Sequence, residues 1–238
     1  MGGDNIELYY DLHIHSALSP CGDGDMTPNN IVNMSIIKGL DMIAVTDHNS
    51  CGNVAAVMAA AGDNLLVIPG MEVETLEEVH VVCYFPTLEQ AYRMEREIRN
   101  SINPIKNRPE IFGRQYYMNE LDEVVGEEEN LLVSASGLDI YEVVMLAKKY
   151  GGAAVPAHID RTSYSVLSNL GFLPPDLEVS TLEITAKNRE QMKNDYKEFY
   201  ILTNSDAHYL ENISEREYSV ELKRKNAQSF IDFLCKYD

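Results

Sequence analysis

The sequence is poor in basic residues and contains no long apolar segment. It has 19 Lys and Arg against 38 Asp and Glu, which gives a formal net charge of −19. Because proteins hold a phosphate backbone largely with basic side chains, this charge predicts that long nucleic acid is not a partner. The most apolar windows, residues 65–73 and 79–85, fall far short of the roughly 20 residues of a membrane helix. They predict no membrane span and no membrane partner.

Cysteine is also scarce. The four cysteines are scattered along the chain and form no C-x-x-C pair. This excludes a disulfide scaffold and favours reduced thiols. Residues 1–5 lack the basic and apolar regions of a secretory signal. We therefore expect a cytoplasmic location.

Short apolar runs typical of strands alternate with segments of helical periodicity along most of the chain. This alternation predicts an α/β fold with a parallel sheet, and six or seven βα units favour a closed, barrel-like arrangement. We expect the whole chain, residues 1–238, to form one domain. Residues 105–130 interrupt the alternation and are predicted to form an inserted loop or lid.

All six histidines fall at the ends of predicted strands. They are His13, His15, His48, His80, His158 and His208. In a parallel barrel, the loops that follow the strands converge on one face, so side chains from distant positions can meet a single ligand there. Any one of these histidines taken alone is most simply a structural or surface residue. Together they predict a shared site.

The chemistry of that site follows from its donor atoms. Imidazole and carboxylate groups together form a ligand set suited to Zn, Mn or Fe. The His13-x-His15 pair is the most informative part of the pattern. Alternate residues of a strand point to the same side, so one strand can present both imidazoles to one metal.

These residues stand in motifs that resemble those of the polymerase and histidinol phosphatase (PHP) superfamily of metal-dependent phosphoesterases. The resemblance covers nearly the whole chain. The motifs, in order, are Asp11-Leu12-His13-Ile14-His15-Ser16, Thr46-Asp47-His48-Asn49, Gly70-Met71-Glu72, His80, Ala157-His158 and Ser205-Asp206-Ala207-His208. The resemblance implies a distorted (β/α)7 barrel with the metal site at the C-terminal ends of the strands.

The resemblance also implies two or three divalent metal ions, with Glu72 bridging the first two. The implied ligands are His13, His15, Glu72 and Asp206 for the first ion, His80, His158 and Glu72 for the second, and Asp23, His48 and His208 for the third.

Two of these positions have competitors in the sequence. Pro20-Cys21-Gly22 intervenes before Asp23, so that Asp25 or Cys21 could replace Asp23, or the third position could be empty. Glu74 has the same strand parity as Glu72 and competes with it on spacing alone. The position of the motif favours Glu72.

Asp206 and His208 are also expected to take part in catalysis. Asp160 is a candidate general acid or a partner of the metal ligands, although an aspartate in a loop is often only a cap. Arg161, three residues after His158, is predicted to bind a substrate phosphate with two parallel hydrogen bonds. The alternative for Arg161 is a surface ion pair.

The resulting hypothesis is a metal-dependent phosphoesterase that hydrolyses a small phosphorylated metabolite: a phosphate monoester, a nucleotide or a cyclic sugar phosphate. Bound cations would attract the anionic substrate to an acidic protein. Two alternatives stay open: a metal-dependent amidohydrolase or esterase, and a metal-binding PHP domain without catalytic activity.

Overall fold

The computed structural model describes residues 5–236. The first part of the chain builds strands and helices in alternation. Its elements are β1 (Ile6–Ile14), α1 (Pro28–Ile37), β2 (Met42–Val45), α2 (Val54–Ala61), β3 (Leu66–Glu74), β4 (His80–Tyr84) and α3 (Leu88–Ser101). Local signals set several of these bounds. The side chain of Thr27 caps α1 and Pro28 occupies its first turn, where a missing N–H costs nothing.

The second part contains shorter elements. They are α4 (Pro109–Phe112), β5 (Tyr116–Met118), β6 (Val124–Glu127), α5 (Ile140–Lys149), β7 (Ala153–Pro156), α6 (Val166–Asn169), β8 (Thr181–Glu183), α7 (Arg189–Asp195), β9 (Tyr200–Leu202), β10 (Ser219–Leu222) and α8 (Ala227–Leu234). Asp139 and Glu142 form a reciprocal capping box at the start of α5. Within residues 5–236, no helix has the length and apolar character needed to cross a membrane.

The strands form a curled sheet that bends into a distorted barrel. Six of them pair in the order β10-β1-β2-β3-β4-β7, and β8 pairs with β9. The N–H of Ile159, after β7, donates to the carbonyl of Glu183 in β8 at 2.9 Å. Ala207, after β9, forms a parallel bridge with Ile14 of β1. The predicted distorted (β/α)7 barrel is thereby confirmed.

Two strands of the six-stranded sheet depart from the predicted parallel order. β10 pairs antiparallel with β1 at one edge. β4 runs antiparallel to both β3 and β7, with Glu74 opposite His80. The connection between β3 and β4 covers only residues 75–79. A parallel crossover needs a dozen or more residues, so this connection can only make a hairpin. As a result, the first residue of β4 lies at the same end of the barrel as the last residue of β3.

Alternate strand residues fill the barrel interior. Leu8, Tyr10 and Leu12 of β1 pack there with residues of β2, β3, β4 and β7, and with Phe230 of α8 at one end. A second cluster lies between the outer face of the sheet and α3 and α5, and a third lies beneath α1 and α2. Polar side chains at the opposite end of the barrel therefore rest on a closely packed base.

A register shift in β1 changes the direction of its last side chains. The pairing of β1 with β2 shifts between Asp11 and Ile14. Leu12 belongs to the interior cluster, whereas Ile14 packs on the outer side with α1 and α2. Such an irregularity changes the direction in which the side chains beyond it point. His13 and His15 thus both reach the mouth of the barrel.

The segment 105–130, predicted to be a loop or lid, contains α4 and the β5–β6 hairpin. The side chain of Asn53 accepts a hydrogen bond from Met118 N and donates one to Tyr116 O, both at 2.9 Å. Tyr116 N also donates to Ala17 O, in the loop that follows β1. These bonds hold the hairpin beside the barrel mouth. Its role as a lid, and the single-domain organisation of residues 1–238, stay predictions.

Candidate metal centre

The six histidines come together at one end of the barrel. Neighbouring rings contact each other in sequence around the mouth, with centroid separations of 4.3 Å for His15 and His208, 4.5 Å for His15 and His48, 5.2 Å for His48 and His80, 5.4 Å for His80 and His158, and 5.9 Å for His158 and His13. The antiparallel direction of β4 brings His80, at the start of its strand, to the same place as histidines that follow other strands.

Glu72 lies at the centre of this group and is 1% exposed. Its Oε1 faces three imidazoles and its Oε2 faces two. The separations are 2.9 Å to His80 Nδ1, 3.2 Å to His13 Nε2 and 3.3 Å to His158 Nε2 for Oε1, and 3.0 Å to His48 Nδ1 and 3.5 Å to His15 Nε2 for Oε2. A carboxylate whose two oxygens face different nitrogen groups has the arrangement of a bridging ligand.

Asp206 closes the site from the segment after β9. Its Oδ1 lies 3.0 Å from His15 Nε2 and 3.4 Å from His13 Nε2. Asp206 and His158 both have a positive φ, of 52° and 29°. Residues other than glycine rarely adopt a positive φ, and residues strained in this way are concentrated at functional sites. The two loops therefore adopt an unfavourable backbone conformation at these residues, and this conformation directs both side chains toward Glu72 and the other histidines.

The donor atoms fit divalent metal ions. Three groups each bring ligand atoms within 4.8 Å of one another: His15, His48 and His208; His13, His15 and Asp206; His48, Glu72 and His80. Ligand atoms on a tetrahedral ion with bonds of about 2.0–2.1 Å lie about 3.3–3.4 Å apart. The contacts of Glu72 and Asp206 fall near this value. Glu72 Oε2 and Asp206 Oδ1 are also buried without a hydrogen-bond partner, as expected of atoms that coordinate a cation.

Partners outside the ring orient two of the imidazoles. His13 Nδ1 lies 3.0 and 3.1 Å from the carboxylate oxygens of Glu183. His15 Nδ1 lies 2.9 Å from Ser19 Oγ, which itself donates to Asp47 at 2.6 Å. Because these bonds engage Nδ1, each ring presents Nε2 to Glu72 and Asp206.

Glu183 was not among the residues predicted from the sequence. It ends β8 and also accepts hydrogen bonds from His158 N and the Asn204 side chain. Burial raises the pKa of Glu183, but His13, His158 and Asn204 together outweigh this and hold the pKa below its usual value. The signal that could have found Glu183 is its position at a strand end, the same signal that identified the histidines.

Glu74, the competitor of Glu72, is buried in a different environment. Burial raises its pKa to about 7, together with the nearby charge of Glu72 and against an opposing effect of His48. Its backbone N–H donates to the Asn49 side chain. A carboxyl group that is partly protonated near neutral pH is a poorer bridging ligand than Glu72, whose pKa lies well below its usual value.

The loop after β1 contains the predicted ligand Asp23 and its competitor Cys21. The Asp23 carboxylate accepts a hydrogen bond from Asp25 N, within its own loop. Cys21 Sγ lies 3.3 Å from His48 Nε2. Burial raises the pKa of the Cys21 thiol, but contacts with His208 and His48 lower it to about 7. The structure thus brings the thiol to the histidines, and the role of Asp23 stays a prediction.

The two residues predicted beside His158 lie in different environments. The Asp160 carboxylate accepts hydrogen bonds from Thr185 and Asn188, and its role as a general acid stays a prediction. The Arg161 guanidinium bonds to Asp206 Oδ2, and its side chain is 41% exposed at the rim of the site. It is therefore within reach of both the candidate ligands and solvent.

Comparison with known proteins identifies the family. The sequence profile of the PHP domain matches residues 11–235. The chain belongs to the PHP domain family. The expected resemblance is confirmed, and so is the expectation of a hydrolase that acts on phosphoric esters, at the level of this family.

Individual PHP relatives add detail. The 5'-3' exoribonuclease Rnm of Escherichia coli strain K12 is 32% identical over 88 residues, which are 34% of this chain and 29% of that protein. PfuEndoQ, a lesion-specific endonuclease from Pyrococcus furiosus, has a similar structure with a TM-score of 0.74 and 19% identity, covering 97% of this chain and 56% of that one. Endonuclease Q bound to a 27-mer duplex with an abasic lesion gives a TM-score of 0.64 at 20% identity, over 86% and 50% of the chains.

These findings correct one prediction. The expectation that long nucleic acid is not a partner is wrong, since the relatives of this PHP chain include an exoribonuclease and an endonuclease seen with duplex DNA. The physical reason is that net charge averages over the whole surface, whereas cations bound at one site supply the local positive potential that a phosphate meets. The chain spans about half or less of the length of these relatives.

The contrast between the two buried glutamates gives a first prediction. Glu72→Gln should reduce metal content and phosphoester hydrolysis by more than the roughly tenfold to hundredfold that follows loss of an outer partner, because a neutral amide cannot balance the charge of two cations. Glu74→Gln is the matched control and should retain most of both. Elemental analysis and initial rates measure the difference. Equal losses in the two variants would mean that Glu72 is not the bridging carboxylate.

Glu183 gives a second prediction. Glu183→Gln should weaken metal binding about tenfold to hundredfold, since the anionic partner that orients His13 is lost. Competition with a chromogenic chelator measures this affinity. Glu178→Gln, at an exposed glutamate paired with Lys148, should leave it unchanged. An unaltered affinity in Glu183→Gln would show that His13 keeps its orientation without this carboxylate.

Proposed function

We propose that this chain is a metal-dependent phosphoesterase that hydrolyses phosphodiester bonds in nucleic acid strands. The observation that carries the proposal is the placement of Glu72, whose two buried oxygens face five imidazoles at the open end of the barrel. Divalent cations held by such a set supply charge that polarises a phosphoryl group and activates water. Zn, Mn and Fe all suit this mixture of donors.

The assignment of ligands follows the grouping of the side chains. His13, His15 and Asp206 share one set of close contacts with Glu72, and we assign them to a first cation. His80 and His158 share Glu72 Oε1 and are assigned to a second cation. His48 and His208 lie on the remaining side of the ring and are assigned to a third position.

Two clefts adjoin the proposed centre and suit an extended substrate. One has a volume of about 390 Å³ and is lined in part by Arg161, Asn204 and Tyr218. The other, of about 350 Å³, is lined in part by Arg114 and Tyr209. The first cleft also contains His158 and Asp206, and the second contains Cys21 beside His48. A strand with nucleotides on both sides of the cleaved phosphate could occupy both clefts.

Aromatic side chains offer a way to bind nucleotides without many basic residues. The ring of Tyr164 is 46% exposed and stacks on His80 with a centroid separation of 4.9 Å. Tyr209, next to His208 in sequence, is 48% exposed. Stacking of a base on an aromatic ring contributes about 1–3 kcal/mol and tolerates any base sequence. These rings favour a single strand, whose bases are accessible, as the substrate.

Arg161 is assigned to the phosphate. Its guanidinium lies at the rim where it already bonds a carboxylate, Asp206, and a phosphate could accept two parallel hydrogen bonds from it. Charge that builds on the phosphoryl oxygens during hydrolysis would strengthen these bonds.

The experiment that tests the function is hydrolysis by metal-replete protein of end-labelled single-stranded RNA and DNA. We expect shortened products, and we expect His13→Ala to abolish them while circular dichroism stays unchanged. A phosphate monoester and a panel of amides and carboxylic esters form the comparison. Cleavage of amides or carboxylic esters without cleavage of phosphodiesters would establish the amidohydrolase alternative. Metal-replete protein without activity on any phosphoric ester would establish a binding domain that lacks catalysis.

A further prediction concerns Arg161. Loss of a charge-assisted contact worth about 1.5–3 kcal/mol corresponds to a fall in kcat/KM of about tenfold to hundredfold in Arg161→Ala, with metal content unchanged. Arg161→Lys should also be impaired, because an ammonium cannot make the paired bonds. Arg93→Ala removes an exposed arginine paired with Glu89 on α3 and is the control. Loss of metal from Arg161→Ala would instead mean that this residue supports Asp206.

A further inference from the structure

The loop after β1 presents a thiol to two histidines. Hydrogen bonds from Ser19 N to Ser16 O and from Gly22 N to Ser19 O fold residues 16–22 into consecutive turns. A Cβ atom at Gly22 would lie 2.5 Å from Ser16 O, so this turn requires glycine. Asp23 N then donates to His208 O at 2.9 Å, which ties the loop to the last histidine. Cys21 is therefore held in place and directed toward the histidines.

The two imidazoles have suitable atoms facing this thiol. His48 is 5% exposed, and its Nε2 lies 3.3 Å from Cys21 Sγ while its Nδ1 faces Glu72. His208 Nδ1 donates to the backbone carbonyl of Asp206 at 2.8 Å, which leaves Nε2 of this ring as the unprotonated nitrogen. Ligand nitrogens of His208 and His48 lie within 4.8 Å of each other. The Cys21 sulfur therefore lies on the side of the His48 ring that faces away from Glu72, in the part of the site that also contains His208.

We propose that Cys21, His48 and His208 form a thiolate-containing metal position at the edge of the centre. This inference rests on the proposed function in one respect: it assigns a ligand to the third cation position, which is part of that proposal. Zinc–sulfur bonds of about 2.3 Å and zinc–nitrogen bonds of about 2.0–2.1 Å place sulfur and nitrogen about 3.5 Å apart on a tetrahedron. The separation of 3.3 Å between Cys21 and His48 is close to this value.

This position differs in chemistry from the rest of the centre. The PHP resemblance implies an aspartate here, but the Asp23 carboxylate bonds to its own loop, and the inserted residues 20–22 bring a thiol to the histidines instead. Thiolate is a softer donor than carboxylate and selects zinc or cobalt over manganese and magnesium. The third position should therefore prefer a softer metal than the positions that share Glu72.

Cobalt(II) substitution tests this assignment directly. A cobalt–thiolate bond gives an intense charge-transfer absorption in the near ultraviolet, which carboxylate and imidazole ligands do not. We expect this band in the cobalt-loaded protein and expect Cys21→Ser to abolish it, with loss of about one equivalent of bound zinc. Cys235→Ser, at the other exposed cysteine, is the matched control and should keep both the band and the zinc.

Two more variants define the role of the thiol. Cys21→Asp should restore the zinc equivalent without the band, since a carboxylate can replace the ligand but not its sulfur. His13→Ala should retain the band while it loses hydrolysis, so failure of this assignment and failure of the proposed function are separable. The proposal is overturned if the cobalt-loaded protein shows no such band. It is also overturned if Cys21→Ser keeps the band or its full zinc content.

Discussion

The carboxylate of Glu72 is buried at the mouth of the barrel, and an ionised carboxylate can occupy such a place only with charged or hydrogen-bonding partners. Here the partners are imidazoles from β1, β4 and the loops after β2 and β7. These imidazoles need a counter-charge or a cation for the same reason. The close approach of these groups is favourable when cations lie among them, so we expect bound metal to stabilise the arrangement of these side chains.

Two irregularities of the sheet make this convergence possible. The register shift in β1 brings His13 and His15 to the mouth, above a strand whose earlier residues fill the interior. The hairpin between β3 and β4 reverses a strand, so that His80 comes opposite Glu74 and near Glu72. A regular parallel barrel would place the first residue of its fourth strand at the far end. The distortions of the barrel are thus the means by which it assembles the site.

The acidic surface and the proposed nucleic acid substrate are compatible because attraction is local. Cations bound at the mouth would offer positive charge to one phosphate, and exposed rings such as Tyr164 and Tyr209 would offer stacking that does not depend on charge. The rest of the surface repels the backbone. Binding of this kind favours short contacts near the cleaved bond over long electrostatic tracking along a strand.

Periodicity and short motifs are enough to predict the alternation of strands and helices, the placement of the histidines at strand ends and the family. Which residues come into contact depends on the folded chain. The fold placed Glu183 behind His13, gave Glu72 and Glu74 different environments, and brought the Cys21 thiol to His48. Such contacts join residues distant along the chain or depend on the fold of one loop, and neither spacing nor composition records them.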